Sequence, residues 1–399
     1  MRLAGIAVTA GHRPGTVRLT GTVTYDTGTP SREEVWYEVG DHRREDLSTS
    51  GNPWLVSLLP LAMTLGEPLR LSVPVDQVLL DRCHQVMEIW KAWYPKLHVV
   101  AIEADTRTPT DSAGHTALFF SGGVDSFSSL LRHQAPDETA YHTPIDDLIM
   151  IWGADVALGQ AQAFARMRQR YQPVASATGK RLVDVATNLR ETRWRETDWA
   201  RLSHGAFLAS VGLSLERGYR RLLIASSIPV SHGMGGWGSH LMVDPLFSTS
   251  STQVVVDAAG ESRDRKVERV AESELALNNL RVCWRSGTDQ NCGACHKCYR
   301  TMIALELCGR LGACPTFPVT TLDLARVSHL YFGEYRDFRI FRRLLAKAWL
   351  LGRHDIVRAL DRAMRRSRRL GLVMDALKGW DGPGSTRARA RLLRGSIWQ

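Results

Sequence analysis

Hydrophobic and polar positions change rhythm twice along the chain. Over residues 1 to about 112 the pattern is mainly that of strands. Thr16 to Tyr25 alternates apolar and polar positions, and Glu34 to Val39 repeats the alternation after a turn-rich gap. A period of two puts successive side chains on opposite faces of a sheet, so both runs predict half-buried strands. Asp76 to Trp93 instead follows helical spacing, with Asp76 placed to cap the first turn. Leu97 to Ile102 is expected to return to strand. The polar stretch from Asp105 to Gly114 contains Pro109 and reads as a linker.

From Ala117 to about Leu311 short apolar runs alternate with helical segments. Ala117–Phe120, Leu148–Trp152, Leu182–Ala186 and Leu222–Ala225 predict buried strands. Gly159 to Tyr171 and Leu202 to Arg217 predict the helices between them. Strand and helix in this order imply an α/β fold, a parallel sheet with helices on both faces. From Thr320 onward the spacing is helical, most clearly over Arg336–Gly352 and Asp355–Gly371. The expected organisation is a strand-rich accessory module at 1–112, an α/β domain at 115–311 and a helical extension at 320–399. No internal repeat is present.

Composition narrows the class. At 399 residues, 44% hydrophobic and 23% charged, the chain is neither disordered nor fibrous. Seven cysteines are too few for a disulfide-stapled scaffold of this length. No apolar run approaches the roughly 18 to 20 residues of a membrane span. The opening residues lack the apolar core of a signal peptide. A cytoplasmic protein with no membrane partner is the expectation. The formal net charge of +10 is unevenly placed, with 17 Lys and Arg against 6 Asp and Glu from Tyr331 onward. The preceding residues are near neutral. Such a tail reads either as a site for a polyanion or as the solvated arginine face of packed helices.

Immediately after the strand ending at Phe120 comes Ser121-Gly122-Gly123-Val124-Asp125-Ser126, followed by a helical pattern. Two glycines let backbone approach an anion closely. The free N–H groups and dipole of a helix start favour phosphate oxygens. Ser121 and Ser126 add hydroxyl donors, and Asp125 suits either Mg²⁺ or the positioning of the loop. The hexapeptide resembles the SGGxDS signature of the PP-loop ATP pyrophosphatases, the adenine nucleotide alpha hydrolase-like fold. That resemblance implies ATP cleaved between its α and β phosphates, with AMP transferred to a substrate oxygen. It also implies that Trp152 and Gly153, at the end of the second strand, lie beside adenine.

Cys283, Cys292, Cys295 and Cys298 form a C-x8-C-x2-C-x2-C cluster. Four thiolates suit one tetrahedral Zn²⁺ in a closed structural site, here expected to pin a loop beside the active site. An iron–sulfur cluster is the competing reading. His296 is expected to be a bystander, and Cys83, Cys308 and Cys314 ordinary core thiols.

A PP-loop followed by four cysteines at this spacing is similar to the 7-cyano-7-deazaguanine synthase (QueC) family, over residues 115 to 311. The resemblance implies adenylation of a 7-carboxy-7-deazaguanine carboxylate, displacement of AMP by ammonia to give the amide, and dehydration to the nitrile with a second ATP. It assigns Arg263 and Lys266 to phosphate, so that Asp125, Ser126, Arg263 and Lys266 form the expected catalytic set. Ser203 and His204 stand where the family carries an Arg-Asn pair, and Arg263-Asp264-Arg265 replaces its Lys-x-Glu. In the Gly-rich loop from Gly233 to Pro245, Trp237 is expected to stack on the base, with His240 or Asp244 at its polar edge. The alternative is a lid with no base contact.

These departures, with the added N-terminal and C-terminal segments, look like the QueC-like branch found in anti-phage operons of the cyclic-oligonucleotide (CBASS) type. There the implied acceptor is an amine of a partner protein from the same operon, in place of ammonia. Three readings stay open beside it: nitrile synthesis for modified nucleosides, tRNA thiolation, and a non-catalytic nucleotide-sensing scaffold.

Overall fold

The computed structural model describes residues 1–107, 112–134, 142–230, 235–284, 289–332 and 335–378. Met1–Lys266 form one compact unit and Val267–Gln399 a second.

The first unit is α/β and is built on a ten-stranded, mostly parallel sheet. Three N-terminal strands, β1 (Arg2–Ala10), β2 (Thr16–Thr24) and β3 (Arg32–Gly40), form an antiparallel meander. Helix α1 (Asn52–Leu65) follows, then β4 (Leu69–Leu71), β5 (Val75–Asp76) and helix α2 (Gln77–Trp93). Asp76 caps α2 as its sequence predicts, accepting the Leu79 N–H at 3.2 Å. The strand expected over Leu97–Ile102 is not formed, because only Ile102 and Glu103 pair, as β6 beside β4. The expected linker contains a two-residue strand, β7 (Thr106–Arg107), paired with β5, and its residues 108–111 lie outside the described ones.

The parallel strands are β8 (His115–Phe119), β9 (Asp147–Trp152), β10 (Arg181–Thr187), β11 (Tyr219–Ala225) and β12 (Gln253–Asp257). Their order in the sheet is β12-β11-β8-β9-β10, continued by β3-β2-β1-β4-β6. Helices α3 (Val124–Arg132) and α4 (Ala161–Ala177) connect β8 to β9 and β9 to β10. Helix α5 (His204–Leu213) carries the chain back to β11 in the opposite direction. Right-handed crossovers therefore place α3 and α4 on one face and α5 on the other.

The join between meander and parallel sheet is antiparallel, Ala186 opposite Glu38 and Thr187 opposite Tyr37. Since Thr187 ends β10, residues Arg32 to Trp36 of β3 run on past the carboxyl edge, by roughly 17 Å at strand rise. The strand-rich segment thus continues the parallel sheet. One face of the meander is buried by α1, whose Trp54, Leu55, Leu58, Leu59 and Leu61 are all at most 1% exposed. Trp54 lies against Tyr37, with ring centroids 5.4 Å apart, and fills the space a side chain at Gly21 would need.

The second unit is helical: α7 (Glu274–Asn279), α8 (His296–Leu307), α9 (Leu324–Ser328), α10 (Tyr335–Leu350) and α11 (His354–Lys378). Helix α10 packs on α8 and α11, around buried Phe332, Phe341, Leu344, Ile356 and Leu360. Among the described residues, no helix is long and apolar enough to cross a membrane.

Candidate functional site

The sheet order opens a crevice at the carboxyl ends of β8 and β11, because the chain leaves β8 toward β9 on one side and returns to β11 on the other. The hexapeptide Ser121–Ser126 sits there. Gly122 has φ +71°, and a Cβ at this position would fall 1.8 Å from the Tyr171 hydroxyl, so only glycine fits. Gly123 is extended and caps α3, its carbonyl accepting the Phe127 N–H at 2.9 Å and the Ser126 hydroxyl at 3.1 Å. Ser121 Oγ accepts the Gly123 N–H at 3.4 Å and lies 3.5 Å from Ser126 Oγ. The turn presents the first amides of α3 at the mouth of the crevice, where they lack intrahelical acceptors.

Two cations reach the same place from helix α6 (Arg263–Ala271), which follows β12. Arg263 Nη1 donates to Asp125 Oδ2 at 2.5 Å, and Lys266 Nζ stands 3.8 Å from Asp125 Oδ1. Lys266 is only 2% exposed and donates to the Ser226 carbonyl at 2.5 Å, just beyond β11. Burial lowers its pKa, and the facing charge of Asp125 opposes that shift. Asp257, the last residue of β12, accepts from Arg132 at 2.7 Å and from His133 at 3.0 Å. Burial alone would raise the Asp257 carboxyl, yet hydrogen bonds from His133 and Ser129 hold it below its usual value. Asp125, Ser126, Arg263 and Lys266 are therefore gathered at one point.

The predicted base-contacting residues form a second cluster around the start of α5. Ser203 is fully buried, its hydroxyl accepting from Thr197 at 2.8 Å and donating to the Asp198 carbonyl at 3.3 Å. His204 lies against the Trp199 ring, centroids 4.8 Å apart. Gly205 donates its N–H to the Gly238 carbonyl at 2.5 Å, and a Cβ on it would strike Asp244 Oδ1. Asp244 is wholly buried, and Oδ2 accepts the Ser239 hydroxyl at 2.6 Å. Burial pushes its carboxyl up to about 7, against the pull of Ser239 and the His240 N–H. His240 meets Trp93 edge-on at 4.9 Å. Trp237 is half-buried in the same loop, while Gly233 and Met234 lie outside the described residues.

Trp152 and Gly153 end β9. The Trp152 ring stacks on Phe164 at 5.4 Å and carries the Arg13 guanidinium 5.2 Å from its centroid. Gly153 has φ +99°, and a Cβ there would lie 2.0 Å from the Thr187 carbonyl oxygen. Glycine at 153 is thus a requirement of strand packing.

In the second unit the four cysteine sulfurs lie within 4.8 Å of one another. The pairs Cys283–Cys295 and Cys292–Cys298 are 3.9 and 3.8 Å apart. Tetrahedral zinc with Zn–S bonds of about 2.3 Å requires sulfurs about 3.8 Å apart, so the set fits one ion. Cys295 caps α8, accepting the Cys298 N–H at 3.5 Å. Hydrogen bonding from Cys298 draws the Cys295 thiol down to about 5, toward the thiolate a metal takes. Asn291 holds the knuckle: its Oδ1 accepts from Val282 and Cys283 at 2.8 and 3.2 Å, and its Nδ2 donates to Leu280 at 2.9 Å. His296 packs on Phe332 and Phe341 outside the cluster. Cys83 and Cys314 are buried, and Cys308 is half-buried beside Lys347.

For Mg²⁺ the loop offers the Asp125 carboxylate, whose oxygens face Arg263 and Lys266. An ion there would depend mainly on substrate phosphates for its remaining ligands. The residues that sequence reasoning missed are supports: Tyr171 under Gly122, Ser226 and Asp257 around Lys266, and Asn291 inside the cysteine knuckle. Only Asn291, next to Cys292, carried a local signal. Comparison with protein-family models, curated proteins and solved structures returns no match to this chain.

Proposed function

We propose that this chain is an ATP-dependent, C–N bond-forming ligase that adenylates the carboxylate of a 7-carboxy-7-deazaguanine-type substrate and passes the acyl group to an amine. The observation that carries this reading is the convergence of the Ser121–Ser126 turn, Arg263 and Lys266 at the carboxyl ends of β8 and β11. A neutral pocket would need no such set of donors. A triphosphate does.

A substrate carboxylate oxygen attacks the α-phosphorus, the α–β phosphoanhydride bond breaks, and pyrophosphate leaves. The amides at the start of α3, the Ser121 and Ser126 hydroxyls and the two cations hold the departing charge. Asp125 keeps Arg263 and Lys266 aimed at the turn until phosphate replaces it as their partner. Mg²⁺, when bound, supplies further neutralisation of the phosphates. The amine nitrogen then attacks the acyl carbon, the bond to AMP breaks, and the nitrogen gives up a proton. The second cluster, with Trp237, His240 and Asp244, is assigned to the base. In the defence setting that the resemblance implies, the amine belongs to a partner protein.

Pyrophosphate release tests the reading. It should rise several-fold on adding 7-carboxy-7-deazaguanine, and intact mass spectrometry with ammonium or with operon-encoded proteins should reveal the acceptor. No release with ATP and this carboxylate would refute it.

A further inference from the structure

The chain leaving β10 turns over residues 188–191, and the segments on both sides hold that turn. Asn188 Oδ1 accepts the Trp36 N–H of β3 at 2.9 Å, and Glu191 Oε1 accepts the Leu158 N–H beyond β9 at 3.2 Å. Arg190 is thereby fixed at the carboxyl edge of the sheet. Its Nη1 donates to the Ala154 carbonyl at 2.5 Å, and its guanidinium lies over the Trp199 ring, 4.1 Å from the centroid. Both partners are neutral. Buried Arg18, Arg43 and Arg193 each meet a carboxylate, at 2.7, 2.6 and 2.7 Å. Arg190 makes no ion pair among the described residues. Burial lowers its pKa, and the charge of Asp155 offsets this only in part. A half-buried guanidinium held without an anion costs stability that an anionic ligand would return.

We propose that Arg190 is the receptor for the substrate carboxylate and holds it for attack on the α-phosphorus. β9 is the neighbour of β8 in the sheet, so Ala154, just past β9, brings the guanidinium to the edge where Ser121–Ser126 turns. Arg263 and Lys266 reach the turn from the helix after β12, on the opposite side of β8. The phosphates thus have cations of their own, and Arg190 stands apart from them. Trp199 also carries His204, with centroids 4.8 Å apart, so one ring joins Arg190 to the cluster assigned to the base. Nη1 is committed to Ala154, which leaves the Nε–Nη2 edge, two parallel N–H groups that match a carboxylate. A carboxylate oxygen bound there keeps a lone pair for phosphorus. Its charge is offset as it approaches a polyphosphate that would otherwise repel it. The inference rests on the reaction proposed above and adds the residue that selects the acid over its neutral analogues.

Steady-state pyrophosphate release from the full chain tests it, with the corresponding 7-carboxamide as a neutral competitive inhibitor. Arg190→Gln should raise KM for 7-carboxy-7-deazaguanine at least about tenfold, leaving KM for ATP and Ki for the carboxamide within about twofold. Arg190→Lys keeps the charge and loses the fork, so its KM should fall between the two. It carries the same comparison if the glutamine variant does not fold. An unchanged Ki reports an intact pocket, which a merely structural role for Arg190 would not leave. A rise in KM for ATP would make the anion a phosphate, loss of carboxamide binding would make Arg190 a strut, and unchanged kinetics would make it idle. Each overturns the proposal while the wild type still turns over the acid, so the reaction itself stands. A wild type that releases no pyrophosphate with the acid overturns the reaction and this inference together.

Discussion

Replacing Asp244 by asparagine isolates one buried carboxyl. The side chain is completely buried, with Ser239 on one oxygen and the α-carbon side of Gly205 against the other. Its ordinary value near 3.8 is pushed up to about 7, first by burial, with Ser239 and the His240 amide pulling weakly the other way. Between these two values the folded protein keeps a proton that the unfolded chain has released. Stability therefore falls as pH rises through that interval, and is level above it. At about 1.4 kcal/mol per unit, the whole window amounts to at most about 4 kcal/mol, less whatever local relaxation recovers.

The asparagine amide would resemble the protonated carboxyl at every pH and carry no such slope. Thermal melts at constant ionic strength between about pH 5 and 8 should then show the Asp244→Asn variant close to wild type at the acid end. It should be more stable at the alkaline end, by several degrees in Tm. Wild-type and variant curves that run parallel over this range would refute the argument, as would a variant less stable at about pH 8.

Gly122→Ala puts a methyl group into the Tyr171 hydroxyl at a left-handed φ. It should abolish nucleotide-dependent pyrophosphate release and cost at least about 1 to 3 kcal/mol in denaturant titrations. Lys266→Met keeps the buried volume while removing the cation, so turnover should fall at least about 100-fold; retained turnover would contradict the assignment. Metal analysis should find one zinc per chain, and Cys298→Ser should lose it together with the helical signal of the second unit, whereas stoichiometric iron would exclude zinc. Glu38 is ionised by hydrogen bonds from Arg13 and Arg18 that overcome its burial, and its carboxyl falls from 4.5 to about 2. It contributes about 3 kcal/mol above its unfolded value, lost as pH falls toward the folded one, so Glu38→Gln should flatten acid unfolding followed by near-ultraviolet circular dichroism.

Elements with a clean period, and most of the short apolar runs, were legible in the sequence. The alternation at Thr16–Tyr25 became β2 within a residue, and the apolar runs became β8 to β11. Helix α1 was missed because twelve of its fourteen residues are buried, so no polar stripe marks its spacing, and Pro60 lies inside it. Strand β12 was missed because its run of three valines is short and flanked by a Ser/Thr cluster. β1 was hidden among small residues. The helix expected from Leu202 begins later, at His204, after a wide turn over Trp199–Ser203. At the site, the glycines, serines and cysteines announced themselves because their chemistry is local. Tyr171, Ser226 and Asp257 did not, since their roles arise only where strands distant in sequence end side by side.

The same logic explains why the N-terminal segment looked separate. Composition turns polar at Asp105 to Gly114 and suggests a boundary there, yet sheet continuity runs through β3 and β10. Their register is locked by side chains from the chain leaving β10. Asn188 accepts the Trp36 N–H at 2.9 Å and donates to the Glu34 carbonyl at 2.8 Å. Arg193 then donates to the Thr27 carbonyl at 2.5 Å and lies over Tyr25. A slip of one residue would turn Tyr37 and Val35 outward and break all of these contacts. The residues that carry β3 beyond the carboxyl edge are therefore fixed by the turn that follows β10. The meander continues the sheet on the side where the phosphate turn opens, its position set by the β3–β10 pairing together with Asn188 and Arg193.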